Sequence, residues 1–326
     1  MNSFYPLKFK TIFKEKIWGG NKIKTILKKD FSPLENCGET WELSTVKGNI
    51  SEIANGEFKG MLLDELLKKF PDEIMGSEVV SAFGTEFPLL IKFIDAQQDL
   101  SVQVHPDDTL AKARHNGMGK TEMWYIMQAD NGASLIAGFN RPLNKEQYND
   151  YFSKGTLDEI LNRVEVEKGD VFYIPAGRIH TIGKGIMLAE IQQTSDLTYR
   201  IYDFDRVDAQ GNKRELHVEE ALDALDYTFH ENYKTPYELH DNQRSTLVQS
   251  PYFTTNKFSL SQLKVLDYSA VDSFVIYICT EGQGSIKYNG GEQPITQGDV
   301  FLVPSVLKEI KIQPENNLEL LEVYIG

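Results

Sequence analysis

The chain has 326 residues, of which 41% are hydrophobic, and this is enough to bury one large core or two modest ones. A net charge of −14 argues against a nucleic-acid partner, because such proteins usually carry a basic surface. The two cysteines, Cys37 and Cys279, are far apart, so we expect no disulfide framework. Residues 1–10 contain no apolar leader and no run is long enough to span a membrane, which predicts a cytoplasmic protein without a membrane partner.

Helical patterns in the sequence are few and short. Apolar side chains recur at helical spacing in each of them, and proline or glycine ends most of them. The predicted helices cover residues 61–70, 109–115, 145–163 with a break at Gly155, and 218–225. We therefore expect helices to be minor insertions.

Most of the remaining sequence consists of short apolar runs separated by Gly, Pro, Asn and Asp. Many short strands at regular spacing are typical of a sandwich or barrel. The clearest runs are residues 88–94, 100–105, 120–126, 134–139, 171–174, 185–191, 274–279 and 318–325. The sequence therefore predicts a fold dominated by β-strands.

One block of the sequence occurs twice. Residues 169–175 (GDVFYIP) recur as residues 298–304 (GDVFLVP), which indicates a duplicated β unit. In this alignment His180 falls opposite Glu309, so the second copy lacks a histidine there. Residues 281–286 (EGQGSI) are predicted to form a tight turn and a strand, without a polar pair such as Gln103 and His105.

The repeat predicts two domains of different character. We expect residues 1–238 to form one unit with short helical insertions. Because two histidines, a glutamate and a glutamine at strand-like positions fall within it, we expect this unit to be the catalytic, metal-binding one. We expect residues 239–326 to form a metal-free unit of the same kind. The polar stretch 237–249 is the predicted join.

Four polar side chains occupy strand-like positions and together can bind a metal. Gln103 and His105 are two residues apart in an alternating run, so they point to the same face of a strand. Glu122 lies in a second such run, and His180 follows the Pro-x-Gly turn after a third. Two imidazoles, a carboxylate and an amide oxygen can hold zinc, iron, manganese or cobalt and leave one position open.

Several motifs resemble those of known families. The spacing from Gly169 through Pro175 and Gly177 to His180 resembles the second motif of the cupin jelly rolls, although Lys184 stands where that motif has Asn. Over the whole chain, the sequence resembles the type I phosphomannose isomerases in their short bacterial form. The matching segments are residues 17–20 (IWGG), 38–42 (GETWE), 101–107 (SVQVHPD), 119–122 (GKTE), 175–180 (PAGRIH) and 190–206 (EIQQTSDLTYRIYDFDR).

The resemblance implies two cupin-type β-jelly-roll units and a zinc-dependent interconversion of mannose 6-phosphate and fructose 6-phosphate. It implies one Zn²⁺ per chain, held by Gln103, His105, Glu122 and His180. It also implies catalytic roles for Arg200, Lys120 and Glu190, and substrate-binding roles for Trp18, Ser101 and Arg206. The expected partner is a small sugar phosphate, and both a monomer and a homodimer are compatible with the sequence.

The implied reaction moves a proton between C1 and C2 and needs a base and a stabilised oxyanion. Candidates for the base are Glu190 and a metal-bound water. Alternatively, Glu190 holds a lysine or arginine in place or binds sugar hydroxyls. The candidate hydrogen-bond donors to the phosphate group are Arg200, Arg206, Lys92 and Ser101. Alternatively, the two arginines pair with the acidic residues that lie between them.

Two other functions fit the same residues. An iron-dependent cupin oxygenase would use similar ligands, although an amide in place of a histidine at position 103 argues against it. A non-catalytic sugar-phosphate-binding protein would use the same pocket without turnover. The remaining histidines, including His217, are interpreted as ordinary polar residues, and for His217 a position near a pocket is left as an alternative.

Overall fold

The computed structural model describes residues 4–207 and 210–326, and β-strands dominate them, as the sequence predicts. The helices of these residues are α1 (Lys22–Thr25), α2 (Leu63–Lys69), α3 (Pro71–Met75), α4 (Ser77–Phe83), α5 (Asp108–His115), α6 (Lys145–Ser153) and α7 (Val218–Ala224), with a 3₁₀ helix at Leu157–Glu159. None of these described helices is both long and apolar enough to cross a membrane.

Eighteen strands are found in the described part of the chain. They are β1 (Ile12–Lys14), β2 (Glu39–Leu43), β3 (Leu89–Ala96), β4 (Val102–Val104), β5 (Glu122–Ala129), β6 (Ser134–Phe139), β7 (Leu161–Glu165), β8 (Val171–Ile174), β9 (His180–Thr181), β10 (Ile186–Gln193), β11 (Tyr199–Tyr202), β12 (Ser245–Gln249), β13 (Thr254–Leu260), β14 (Lys264–Asp267), β15 (Val275–Tyr288), β16 (Gly291–Thr296), β17 (Val300–Val303) and β18 (Glu309–Tyr324).

The strands form three sheets with antiparallel pairing. The first sheet has the order β1-β2-β3-β10-β5-β8, and the second has the order β11-β4-β9-β6-β7. The third sheet has the order β12-β13-β18-β15-β16, with β14 added on β18 and β17 added on β15. The first two sheets make one jelly-roll unit, and the third sheet makes the other.

Strand β5 is buried on both faces, and its alternating side chains serve two different cores. Trp124 and Ile126 point inward and pack with side chains of the second sheet, such as Leu135. Met123 and Tyr125 point outward into a larger core that also contains residues of the third sheet. Because side chains alternate along a strand, one short run joins the interior of the first unit to the interface between the units.

The repeated block forms the same turn and strand in both units. Gly169 and Gly298 both have positive φ, 94° and 89°, a conformation that favours glycine. After each glycine an aspartate side chain accepts a hydrogen bond from a backbone N–H three residues earlier, at 2.9 Å for Asp170 and 2.8 Å for Asp299. β8 then pairs with β5, and β17 with β15, in matching positions.

Three predictions of local structure are wrong in part. Residues 281–286 do not form a tight turn but continue β15, with register shifts around Gly282 that the glycines permit. The second half of the stretch 145–163 is a 3₁₀ helix followed by β7, because pairing with β6 overrides its helical pattern. The stretch 237–249 is not only a join, because residues 245–249 form β12.

The helix predicted over residues 61–70 forms as α2 and ends at Lys69. Pro71 then begins α3, because a proline at the first position of a helix loses no hydrogen bond. Helices α5 and α7 form where the sequence predicts them.

Candidate metal centre and active site

The four predicted metal ligands come from two facing sheets. In the second sheet Gln103 on β4 pairs directly with His180 on β9, so their side chains share one face. His105 follows β4, and Glu122 opens β5 in the first sheet. The jelly roll thereby brings residues that are distant in sequence to one point between its layers.

The distances at this point are short. His105 Nε2 lies 3.5 Å from Glu122 Oε2, and His180 Nε2 lies 3.6 Å from Glu122 Oε1. One ligand atom from each of these three residues lies within 4.8 Å of the others. Gln103 Nε2 lies 3.1 Å from His180 Nε2, so a half-turn of the amide would present its oxygen to the same point.

Backbone carbonyls orient both imidazoles. His105 Nδ1 donates to Leu197 O, and His180 Nδ1 donates to Arg178 O, each at 2.8 Å. Burial lowers the pKa of His180 to about 4 and holds the pKa of His105 well below its ordinary value. Both rings are therefore neutral near pH 7 and aim the Nε2 lone pair inward, as metal-binding histidines do.

Two polar atoms at this point lack a partner. His105 Nε2 and Glu122 Oε1 are buried without a hydrogen bond, whereas Glu122 Oε2 has the ammonium group of Lys120 beside it at 3.1 Å. Such groups cost about 1–3 kcal/mol each, so they call for another ligand. Burial, with the nearby Glu190 carboxylate, raises the pKa of Glu122 to about 7. A divalent cation would satisfy the unpartnered atoms and keep Glu122 ionised, and the donor set fits one.

A cavity of about 90 Å³ opens beside these ligands. It contains five of the predicted site residues, namely Trp18, Ser101, Gln103, Lys120 and Glu190. Its other polar and charged lining residues are Lys16, Glu39, Lys92, Asp196, Thr198 and Arg214. Of these, only Lys92 is a candidate site residue from the sequence.

Alternating charges line the floor of the cavity. Lys92 Nζ lies 3.2 Å from Glu190 Oε1 and 4.0 Å from Glu39 Oε2. Lys120 Nζ lies 3.1 Å from Glu122 Oε2. Burial opposes ionisation of Glu190, but Lys92 and Lys120 outweigh it and lower the pKa of Glu190 below its ordinary value. Glu190 is therefore a carboxylate at neutral pH, and Trp124 Nε1 holds its second oxygen at 3.0 Å.

Glu39 lines the cavity but is not among the site residues predicted from the sequence, although the sequence contains a signal for it. Burial raises the pKa of Glu39, but the positive charges of Lys92 and Lys16 outweigh this effect, so the pKa falls to about 2. Trp41 Nε1 donates to Glu39 Oε2 at 2.8 Å. A charged residue inside a fully buried strand requires a partner of opposite charge, as Glu39 in β2 and Lys92 in β3 show. The sequence signal is therefore a charged residue within an apolar run.

The two predicted arginines are not among the residues that line this cavity. Arg200 pairs in register with Gln103, but its Nη1 donates to Glu215 O at 2.7 Å. Its Nε is buried without a hydrogen bond, and its backbone N–H donates to His217 Nδ1 at 3.2 Å. Arg206 instead donates to Asp203, as one alternative from the sequence foresees.

Comparisons with known proteins agree with this architecture. A family model described as the phosphomannose isomerase type I catalytic domain matches residues 7–133. A second, described as the mannose-6-phosphate isomerase cupin domain, matches residues 243–325. The prediction of cupin-type jelly rolls is thus confirmed. Fold and site define a cupin enzyme with a candidate metal centre.

Similar proteins show which family of cupin enzymes the chain belongs to. The mannose-6-phosphate isomerase of Streptococcus mutans is 39% identical over 93% of each chain. The crystal structure of the Bacillus subtilis mannose 6-phosphate isomerase has a TM-score of 0.88 at 33% identity, covering 98% of this chain and 99% of that one. A zinc-bound mannose 6-phosphate isomerase shares the fold at 15% identity, with a TM-score of 0.81 over 98% of this chain and 99% of that one. The chain belongs to the type I phosphomannose isomerase family, and it is an isomerase.

Proposed function

We propose that this enzyme interconverts mannose 6-phosphate and fructose 6-phosphate with one zinc ion per chain. The observation that carries the proposal is the group of buried ligand atoms, which lie within 4.8 Å of one another and include two atoms without a hydrogen bond, His105 Nε2 and Glu122 Oε1. The names of the relatives support the substrate, and the zinc-bound relative of the same fold supports the metal.

The proposed zinc ligands are Gln103, His105, Glu122 and His180. When bound, zinc would supply a Lewis acid that polarises a substrate oxygen. The carbonyl groups that hold the histidine rings keep both Nε2 atoms available for it. Lys120, beside Glu122, adds a second positive charge where negative charge develops on the substrate.

We assign proton transfer to Glu190. It is ionised, lines the cavity and is fixed by Lys92 and Trp124, so its carboxylate is held in one place. In the aldose-to-ketose direction the proton leaves C2 for Glu190 and returns at C1, while the hydroxyl proton passes from O2 to O1. We propose that Arg200, which lies on the strand next to Gln103, also stabilises the negative charge that develops on the substrate.

Substrate binding is proposed for Trp18, Ser101 and Arg206. The Trp18 ring and the Ser101 hydroxyl line the cavity, where a ring can pack on the C–H face of a sugar. We further propose that residues 1–238 carry the reaction in the cytoplasm and that residues 239–326 form a metal-free unit.

A coupled isomerase assay on mannose 6-phosphate tests the function. Metal-stripped protein is expected to lose turnover, and one equivalent of zinc per chain is expected to restore it. Full turnover without bound metal would end the proposal. Oxygen consumption with iron would favour an oxygenase, and ligand binding without turnover would favour a binding protein.

A further inference from the structure

The cavity is lined by four cationic side chains that differ in depth. The side chains of Lys92 and Lys120 are only 4% and 5% exposed, and each is committed to a buried glutamate. Those of Lys16 and Arg214 are 34% and 27% exposed, so they lie towards the mouth, although Lys16 Nζ also pairs with Glu39 Oε1 at 3.1 Å. A dianionic group that keeps part of its water shell would meet these two cations first.

Asp203 fixes the orientation of Arg214. Arg214 Nε donates to Asp203 Oδ2 at 2.7 Å, and its Nη2 donates to Oδ1 of the same carboxylate. These two hydrogen bonds use Nε and Nη2 of a guanidinium group, a planar fork that has five N–H donors. The N–H groups of Nη1 and the second N–H of Nη2 can bind an oxyanion while the bonds to Asp203 remain in place.

Asp203 also binds Arg206, but the two arginines reach different places. Arg206 Nε donates to the backbone oxygen of Asp203, and its Nη1 donates to that of Asp99. Among the described residues that line the cavity, the guanidinium group comes from Arg214. The carboxylate therefore presents Arg214 to the cavity, whereas Arg206 would reach a substrate only through the N–H groups that Asp203 and Asp99 leave free.

We propose that Arg214 is a specificity-determining residue that selects substrates with a phosphate group, with Lys16 as a second cation at the cavity mouth. This inference rests on the proposed function. With C1 and C2 of a hexose 6-phosphate at the metal ligands, the phosphate stands at the opposite end of the carbon chain. That end falls towards the mouth, where Lys16 and Arg214 lie.

The test compares Arg214→Ala and Arg214→Lys with Lys213→Gln. Lys213 is the neighbouring exposed cation and pairs with Asp205 at 2.6 Å, so it controls for a simple loss of charge. KM for mannose 6-phosphate, kcat, zinc content and the inhibition constant of inorganic phosphate are measured. In Arg214→Ala we expect KM and the phosphate inhibition constant to rise together by about tenfold or more, with zinc retained and kcat little changed.

Arg214→Lys keeps the charge without the fork, and we expect a smaller rise of both constants, about threefold. It carries the test if the alanine variant does not fold. Unchanged constants in the Arg214 variants, or an equal rise in Lys213→Gln, would overturn the inference. If the unsubstituted enzyme does not turn over, the proposed function fails by itself. Calorimetry of inorganic phosphate on the zinc-loaded protein then still tests Arg214 directly.

Discussion

The two jelly-roll units carry a glutamate at equivalent positions of their sheets, with different surroundings. In the first unit, Glu190 on β10 is flanked by Lys92 on β3 and Trp124 on β5. In the second unit, Glu322 on β18 takes this place, because the order β3-β10-β5-β8 corresponds to β13-β18-β15-β17. The duplication therefore preserves a buried acid at the place where the first unit has its candidate active site.

Glu322 finds all its partners within its own unit. It accepts two bonds from Arg244, at 2.7 and 2.8 Å, one from Asn256 at 2.9 Å, and one from the Tyr268 hydroxyl.

In the first unit, the equivalent Glu190 pairs with Lys92 at 3.2 Å. The neighbouring Glu122 pairs with Lys120 through Oε2 only, so that its Oε1 accepts no hydrogen bond. A jelly-roll interior can thus saturate its buried carboxylates with built-in donors or leave an oxygen open to a bound cation, and only the second arrangement leaves room for chemistry.

The largest expected effect comes from removing a proposed zinc ligand. His180→Ala should lose the metal and lower kcat by at least about 1,000-fold, because charge stabilisation worth several kcal/mol disappears. Metal analysis and the isomerase assay measure this. Glu309→Ala, at the equivalent point of the repeat, is the control and should keep both properties. A His180→Ala variant with normal zinc and turnover would break the comparison.

Lys92→Met tests the charges around Glu190. The lysine at 3.2 Å lowers the pKa of Glu190, so its loss should raise that pKa and move the acid limb of the kcat/KM profile to higher pH. Turnover at pH 7 should fall by about 10–100-fold. Lys257→Met removes a similarly buried lysine that pairs with Glu319 at 3.0 Å, and its profile should not move. An unshifted profile in Lys92→Met would remove Glu190 as the base.

Glu322→Ala tests the closed network of the second unit. Arg244, Asn256 and Tyr268 lose their shared acceptor, so the free energy of unfolding should fall by about 3 kcal/mol. Urea titration measures this loss. Zinc content and kcat of the folded variant should match the unsubstituted enzyme, and a loss of zinc would show that the two sites are coupled.

The smallest effect concerns the repeated turn. Gly169→Ala and Gly298→Ala both force alanine into positive φ, which should cost about 1 kcal/mol each. A Cβ at Gly298 would meet Leu27 Cβ at 3.1 Å, whereas at Gly169 it would meet only the Tyr237 hydroxyl at 3.5 Å. Thermal unfolding should therefore show the larger loss for Gly298→Ala, and the opposite order would contradict the geometry.

Much of the candidate site can be predicted from local patterns. The spacing of Gln103 and His105 sets a shared face, and the turn before His180 places it at a strand end. Lys92 is visible as a charge within an apolar run. Arg214 has no such signal, because it lies in irregular chain whose path depends on its contact with Asp203.

The sequence by itself determined the repeated turn and strand, the dominance of β structure and the residue types suited to a divalent cation. These follow from local rules, namely glycine at positive φ and a side-chain period of two. Only the tertiary structure decided that Gln103 pairs with His180, 77 residues away, and that Arg214 rather than Arg206 lines the cavity. Strand register and the path of a loop depend on hydrogen bonds and packing between distant segments, which no local pattern encodes.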